Sequence, residues 1–196
     1  MVKTKIAVLV SGGGTNLQAL LDAQAAGKLP HGEITLVVSN NPNAYALTRA
    51  GEAGVHTAVI AGEQFEERLQ EVLRSAGIDM IVLAGFMKIL SGDFTARWPE
   101  RILNIHPALI PSFCGEGYYG LKVHEAALRY GVKITGATVH YVNEVPDGGQ
   151  IIAQKAVEVR EGDTPEVLQR RVMEQAEWIL LPQAVEKVAE TLSQGK

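Results

Sequence analysis

The sequence predicts an α/β fold: a doubly wound, mostly parallel sheet with an antiparallel C-terminal hairpin and a long C-terminal helix. Three observations predict it. From Lys5 to His106, short apolar runs alternate with amphipathic segments stopped by glycine, the rhythm of successive βα units. Three glycines, Gly12 to Gly14, divide the first run from the first amphipathic segment. After His106 the rhythm gives way to two β-rich runs separated by turn residues, then to a long helical pattern.

The elements follow in order. Lys5 to Val10 is a continuous apolar run, as expected of a strand covered on both faces. Asn16 to Ala26 reads as a helix, with Leu17, Leu20 and Leu21 on one stripe and Gly27 as its stop. Glu33 to Ser39 is a second strand, and Asn40 to Asn43 a turn. A helix over Ala44 to Ala53 ends at Gly54, and Val55 to Ile60 is a third strand. A helix over Phe65 to Ala76 stops at Gly77, and Ile78 to Ala84 is a fourth strand. A short helix covers Gly92 to Trp98, and a fifth strand runs from Arg101 into Asn104, Ile105 and His106.

His106 to Leu121 is a long loop rich in glycine, proline and aromatics; loops of that length are usually functional or mobile. Lys122 to Tyr130 is helical. Lys133 to Val142 and Gln150 to Val159 read as an antiparallel hairpin joined through Asn143 to Gly149. Thr164 to about Ser193 is a helical tail, kinked or broken at Pro182. No linker, repeat or low-complexity segment divides the chain, so one domain is expected over residues 1–196.

The 196 residues suffice for a substantial core. A net charge of −4 leaves no basic footprint, which argues against a nucleic-acid partner. No basic amphipathic helix suggests a membrane surface, and the first apolar run is too short to span one. Cys114 is the only cysteine, so no disulfide framework forms within the chain, and no histidine pair has zinc-ligand spacing. A reducing cytoplasm and no metal are therefore expected.

Chemistry is suggested at four places. Asn104 and His106 lie two apart on a strand and share a face, and Pro107 keeps His106 extended. They point together at a strand's carboxyl end, where open α/β sheets bind ligands. Ser11 to Asn16 lies between a strand and a helix, where glycines let backbone amides approach an anion. The dinucleotide fingerprint fails, because Leu17 takes the third glycine's place and Ser39-Asn40-Asn41 stands where an acid belongs. A P-loop lysine is also missing, so a monophosphate held by the amides around Gly14, Thr15 and Asn16 is the better inference.

Asp147 precedes Gly148-Gly149 in a turn that can present a carboxylate into a cleft, although such turns are common for structure alone. His140 falls inside a strand and reads as a packed or hydrogen-bonded histidine. Together Asn104, His106 and Asp147 supply an amide donor, a titratable imidazole and a carboxylate. That set suits acyl transfer to an amine, where an oxyanion needs donors and the amine must lose protons. Cys114 has no histidine near it in sequence and reads as an incidental thiol.

Four segments resemble the phosphoribosylglycinamide formyltransferase family: Ser11 to Gln18, Leu83 to Leu90, Asn104 to Ser112, and His140 through Asp147 to Gly149. The resemblance runs over essentially the whole chain, in order. It implies a Rossmann-like formyltransferase fold and formyl transfer from the cosubstrate 10-formyltetrahydrofolate to the amine of glycinamide ribonucleotide, in purine synthesis. It places catalysis on Asn104, His106 and Asp147. Gly13, Gly14, Thr15, Asn16, Glu174 and Glu177 fall on the ribonucleotide's side. Phe86, Met87, Lys88, Ile89, Leu90, Asn104, Tyr141, Val142, Asn143 and Glu144 fall on the folate's. It implies a phosphate-binding half to about residue 100, a catalytic and folate-binding half beyond it, and a monomer or homodimer. On this reading a protonated His106 donates to the oxyanion and Asp147 sets its charge.

The chain departs from the family's usual pattern at several positions. Cys114 replaces a proline, and an apparent insertion carries Tyr118-Tyr119-Gly120. Lys88 stands where arginine is common, so a point charge replaces a planar fork. Glu174 stands where a glutamine often helps bind ribose, and Pro146 stiffens the approach to Asp147. Formyl transfer to a charged tRNA would need a further nucleic-acid-binding domain. Hydrolysis of the formyl folate is a second rival, usually with an extra N-terminal regulatory domain. A non-catalytic nucleotide-phosphate-binding module would keep the glycine loop without needing the other three residues together.

Overall fold

The computed structural model describes residues 2–195. The apolar runs form β1 (Thr4–Val10), β2 (Gly32–Ser39), β3 (His56–Val59), β4 (Met80–Leu83), β5 (Ile102–His106), β6 (Ile134–Tyr141) and β7 (Ile151–Glu158). They make one seven-stranded sheet in the order β3-β2-β1-β4-β5-β6-β7. The first five strands pair in parallel; β6 runs antiparallel to both β5 and β7. The amphipathic segments form α1 (Thr15–Ala25), α2 (Tyr45–Glu52), α3 (Phe65–Ser75), α4 (Gly92–Thr95), α5 (Leu121–Tyr130), α6 (Pro165–Val172) and α7 (Trp178–Gln194).

The period of two along β1 explains the continuous apolar run. Ile6, Val8 and Val10 enter one core with Leu17 and Leu20 of α1 and Leu181 and Val185 of α7. Ala7 and Leu9 enter the other with Leu69 and Leu73 of α3 and Phe94 of α4. Both faces are thus covered, and each fully buried leucine contributes roughly 2 kcal/mol. Among the described residues, no helix is long and apolar enough to cross a membrane.

Strand order reverses between β1 and β4. The segment after β1 is tied there to the segment after β4, by the Ser11 N–H donating to the Gly85 carbonyl (3.2 Å) and the Met87 N–H donating to Ser11 Oγ (2.9 Å). That is the topological switch point, where such sheets bind ligands. Beyond β5, buried Thr138 of β6 fixes the start of the long loop. Its hydroxyl donates to the Ala108 carbonyl (2.7 Å) and accepts from the Ile110 N–H (3.1 Å).

Two boundaries differ from expectation. The fourth strand keeps only Met80–Leu83, and α4 stops at Thr95. The C-terminal tail does not break at Pro182, which lies inside α7. It changes instead to one π-helical turn over Met173–Glu177. Proline disrupts the residue four positions before it, by ring contact and by the lost N–H. For Pro182 that residue is Trp178, where the π turn hands over to α7, so the irregularity falls a turn ahead of the proline.

Candidate active site

Three loops and the π turn converge on one cavity of about 780 Å³ at the switch point. Its floor is the end of β5. Asn104 pairs across the antiparallel ladder with His140, and His106 with Thr138. His140, read as packed or hydrogen-bonded, is both, and it also lines the cavity. Its Nδ1–H donates to the Tyr141 carbonyl (2.7 Å), so in the neutral ring Nε2 accepts from the Asn104 amide (3.1 Å). Tertiary register decides this contact, and sequence pattern does not reveal it.

Asp147 joins them from the β6–β7 loop with φ at +55°, a left-handed conformation that few non-glycine residues adopt. Its Oδ2 accepts from the Gly115 N–H (2.9 Å) and lies 3.4 Å from His106 Nδ1. Its Oδ1 lies 3.4 Å from the Asn104 amide nitrogen and 3.5 Å from His140 Nε2. Burial opposes ionisation of Asp147, but the two imidazoles and the Gly115 amide outweigh it and hold the carboxyl below its ordinary range.

His106 is buried, and its Nε2–H donates to the Phe113 carbonyl (2.8 Å). Burial pushes its pKa down; Asp147 and the Phe113 carbonyl pull the other way without overcoming it. The resting imidazole is thus biased toward its neutral form. In this state both side-chain donors of the cluster are engaged. The Asn104 amide faces Asp147 and His140, and His106 faces Phe113.

At the α1 end, Thr15, Asn16 and Glu177 line the same cavity. No side chain caps α1, and its first turn holds no acid, so its leading amides are free for an anion. The π turn delivers Glu177, fully buried, to accept from Asn16 Nδ2 at 2.6 Å. Burial raises the carboxyl's pKa from its ordinary 4.5 to about 7 against the Asn16 contact. The folded state therefore keeps a proton that the unfolded chain releases above pH 4.5. Glu177 contributes stability that is full below that pH and is lost as pH rises through 7, roughly 3 kcal/mol in all. Glu177→Gln is expected to match the wild type at pH 5 and to exceed its stability by roughly 2 kcal/mol at pH 8. Equal denaturant midpoints at both pH values would refute this.

At the far end, Phe86, Met87, Lys88, Ile89 and Leu90 line the cavity with Val142 and Asn143. Leu90 is core, but Met87 and Ile89 are 55% and 70% exposed. Two neighbouring apolar side chains left open at a cavity mouth suit an apolar ligand better than packing. Phe86 stacks on Phe65, and Lys88 Nζ sits 4.5 Å above the Phe65 ring.

Five expected contact residues stand outside the cavity lining. Glu174 is exposed and pairs with Arg170 one turn away (3.3 Å). Its neighbour Glu177 takes the inward position because the π turn rotates the helix face. Gly14 is needed for packing: a Cβ there would lie 2.6 Å from Ala46 Cβ. The Gly13 carbonyl accepts from Arg49 Nε (2.8 Å). The Tyr141 backbone serves the hairpin and the His140 ring, while Glu144 is exposed and packs against Gly92. Cys114 contacts the Pro111 carbonyl, and burial with the Asp147 charge pushes its pKa up, against thiolate chemistry. Among the described residues, no three metal-ligating side chains converge.

His124 of α5 is the group that pattern reading passed over. It is fully buried beside the site, and neither ring nitrogen has a hydrogen-bond partner among the described residues. Burial, then proximity to His106, lowers its pKa to about 4 from 6.5. The unfolded imidazole takes up a proton below pH 6.5 that the folded one refuses until about pH 4. Stability present above 6.5 is therefore lost as pH falls through that window, up to roughly 3 kcal/mol. His124→Gln is expected to flatten this acid slope in urea titrations between pH 7 and 4.5; an unchanged slope would exclude His124 as its source.

The profile of the Formyl transferase family matches residues 4–185. The chain belongs to the formyl transferase family. It is 43% identical over 177 residues to the phosphoribosylglycinamide formyltransferase of Haemophilus influenzae, covering 87% of this chain and 81% of that protein. It is 46% identical over 195 residues to the trifunctional purine biosynthetic protein adenosine-3 of Gallus gallus. That match covers 95% of this chain, which spans only 18% of the length of that relative. The crystal structure of glycinamide ribonucleotide transformylase 1 from Symbiobacterium toebii superposes with a TM-score of 0.89 at 41% identity, over 96% of this chain and 89% of that one. The seven-stranded sheet and its antiparallel β5–β7 edge are thus those of formyl transferase structures.

Proposed function

We propose that the chain transfers a formyl group from 10-formyltetrahydrofolate to the amine of glycinamide ribonucleotide. The observation that carries this is the single cavity. It joins an uncapped helix N-terminus and the Asn16–Glu177 pair to the Asn104, His106, His140 and Asp147 cluster, and then to the open apolar rim around Met87 and Ile89. A phosphorylated ribosyl amine fits one end and a pterin-like ring the other, with the reacting atoms over β5. The names of the relatives support the same substrates.

In this reading the amine nitrogen attacks the formyl carbon, and the carbonyl electron pair moves onto oxygen. Asn104 Nδ2 and His106 N–H donate to that oxyanion, the second once the Phe113 carbonyl releases it. The Asp147 carboxylate stabilises charge arriving on His106, and His140 holds the Asn104 amide in place. A proton passes from the new ammonium through the His106–Asp147 pair to the departing folate nitrogen, so the charge on His106 is transient. The carbonyl re-forms, and the old C–N bond breaks.

Absorbance at the folate chromophore tests the proposal. Deformylation is expected only when glycinamide ribonucleotide is present, with one formylated acceptor formed per donor consumed. Turnover at the same rate without the acceptor would overturn it in favour of hydrolysis.

A further inference from the structure

The charge on the cavity wall is unbalanced for the substrate assigned to it. Glu116 and Asp147 line the cavity as carboxylates, with Glu177 partly protonated near neutral pH, and the two lysines among the lining residues are Lys88 and Lys122. A phosphomonoester adds about −1.5 to −2 near pH 7, and the segment around Thr15 offers it amides without a lysine. Lys88 is committed to the apolar end, over Phe65. Lys122 has no carboxylate within ion-pair distance among the described residues.

Lys122 is also placed against its own helix. It is the second residue of α5, and a cation in a first turn is disfavoured by the helix dipole. The segment before it compensates by holding the side chain. Lys122 Nζ donates to the Tyr119 hydroxyl (2.8 Å) and lies 4.3 Å from the ring centroid. Gly120 makes this approach possible with φ 54° and ψ −133°, a conformation open essentially to glycine alone. The insertion Tyr118-Tyr119-Gly120 thus fixes a long, flexible cation at the rim of the cavity, so less freedom is lost when an anion arrives.

We propose that Lys122, oriented by Tyr119, is a specificity-determining residue that selects a phosphorylated acceptor by meeting its phosphomonoester. The proposal rests on the acceptor assigned above, and its test is separable from that assignment. Ribose 5-phosphate, ribose and 10-formyltetrahydrofolate are titrated calorimetrically into the wild type, Lys122→Ala, Lys122→Arg and Tyr119→Phe. Lys122 is exposed, so these variants keep the fold.

Lys122→Ala is expected to weaken ribose 5-phosphate about tenfold, Tyr119→Phe about threefold and Lys122→Arg less than twofold, with ribose and the folate unchanged. In turnover, Lys122→Ala raises KM for the ribonucleotide and leaves kcat within about twofold, the pattern of uniform binding. Equal ribose 5-phosphate affinity in wild type and Lys122→Ala overturns the proposal. So does a loss confined to the folate, or no binding of ribose 5-phosphate to the wild type. A wild type that binds the sugar phosphate through Lys122 but fails to formylate the ribonucleotide defeats the transfer assignment and leaves this one standing.

Discussion

Asp147→Asn is expected to lower kcat about 10³-fold while leaving the fold intact. The substitution is nearly isosteric, and one side-chain oxygen remains to accept from the Gly115 N–H. The negative charge 3.4 Å from His106 Nδ1 is lost, however. An imidazolium forming there during proton transfer then sits in a buried site without its counter-charge, and the cost falls on the transition state. The pH profile should move as well. Asp147 raises the His106 pKa against burial, so its removal shifts the acid limb to lower pH. Stopped assays from pH 4.5 to 8, with circular dichroism as the control for folding, read both effects. Near-normal turnover by a folded variant would remove Asp147 from the chemistry.

The fold was legible because local periodicity and global packing agree. Along β1, every residue that reads as buried is buried on one face or the other, and each glycine stop between Gly27 and Gly77 follows a real helix end. Asn104 and His106 were legible for the same reason: two residues apart on a strand is a fixed geometry. His140 was not, because its role depends on β6 lying antiparallel beside β5 with Asn104 opposite His140, and the sequence carries no mark of that register.

The inward turn of Glu177 and the outward turn of Glu174 were hidden for a related reason. A helical wheel places both by a regular period, and the π turn over Met173–Glu177 breaks that period at this point. The close approach of Ala46 of α2 to Gly14 was not legible, because the two residues lie far apart in the chain. Sequence pattern thus reached the residues whose geometry is local, and stopped at those placed by a neighbour.

Gly149→Ala should be the most damaging single methyl group in the hairpin, although Gly149 does not adopt a left-handed φ. The reason is space. A Cβ there would lie 1.7 Å from the Tyr141 carbonyl oxygen and 2.7 Å from its carbon, both backbone atoms with no rotamer to change. The strands close at this point, where the Tyr141 N–H donates to the Gln150 carbonyl (2.9 Å), beside the irregular register at Val139 and His140. The same Tyr141 oxygen anchors His140 Nδ1, and His140 in turn holds the Asn104 amide. Relieving the clash therefore opens the hairpin and moves the ring that orients the Asn104 amide, a donor in the proposed mechanism. A loss of about 3 kcal/mol is expected in urea unfolding. Molecules still folded should show reduced kcat, because Asp147 hangs from the same loop. Gly12→Ala is the contrasting substitution: its Cβ meets nothing within 4 Å and its φ is not left-handed, so its stability should stay within about 1 kcal/mol of the wild type. If Gly149→Ala unfolds at the wild-type urea concentration, the hairpin accommodates the methyl by a movement that leaves Tyr141 in place, and the proposed coupling of the turn to Asn104 fails with it.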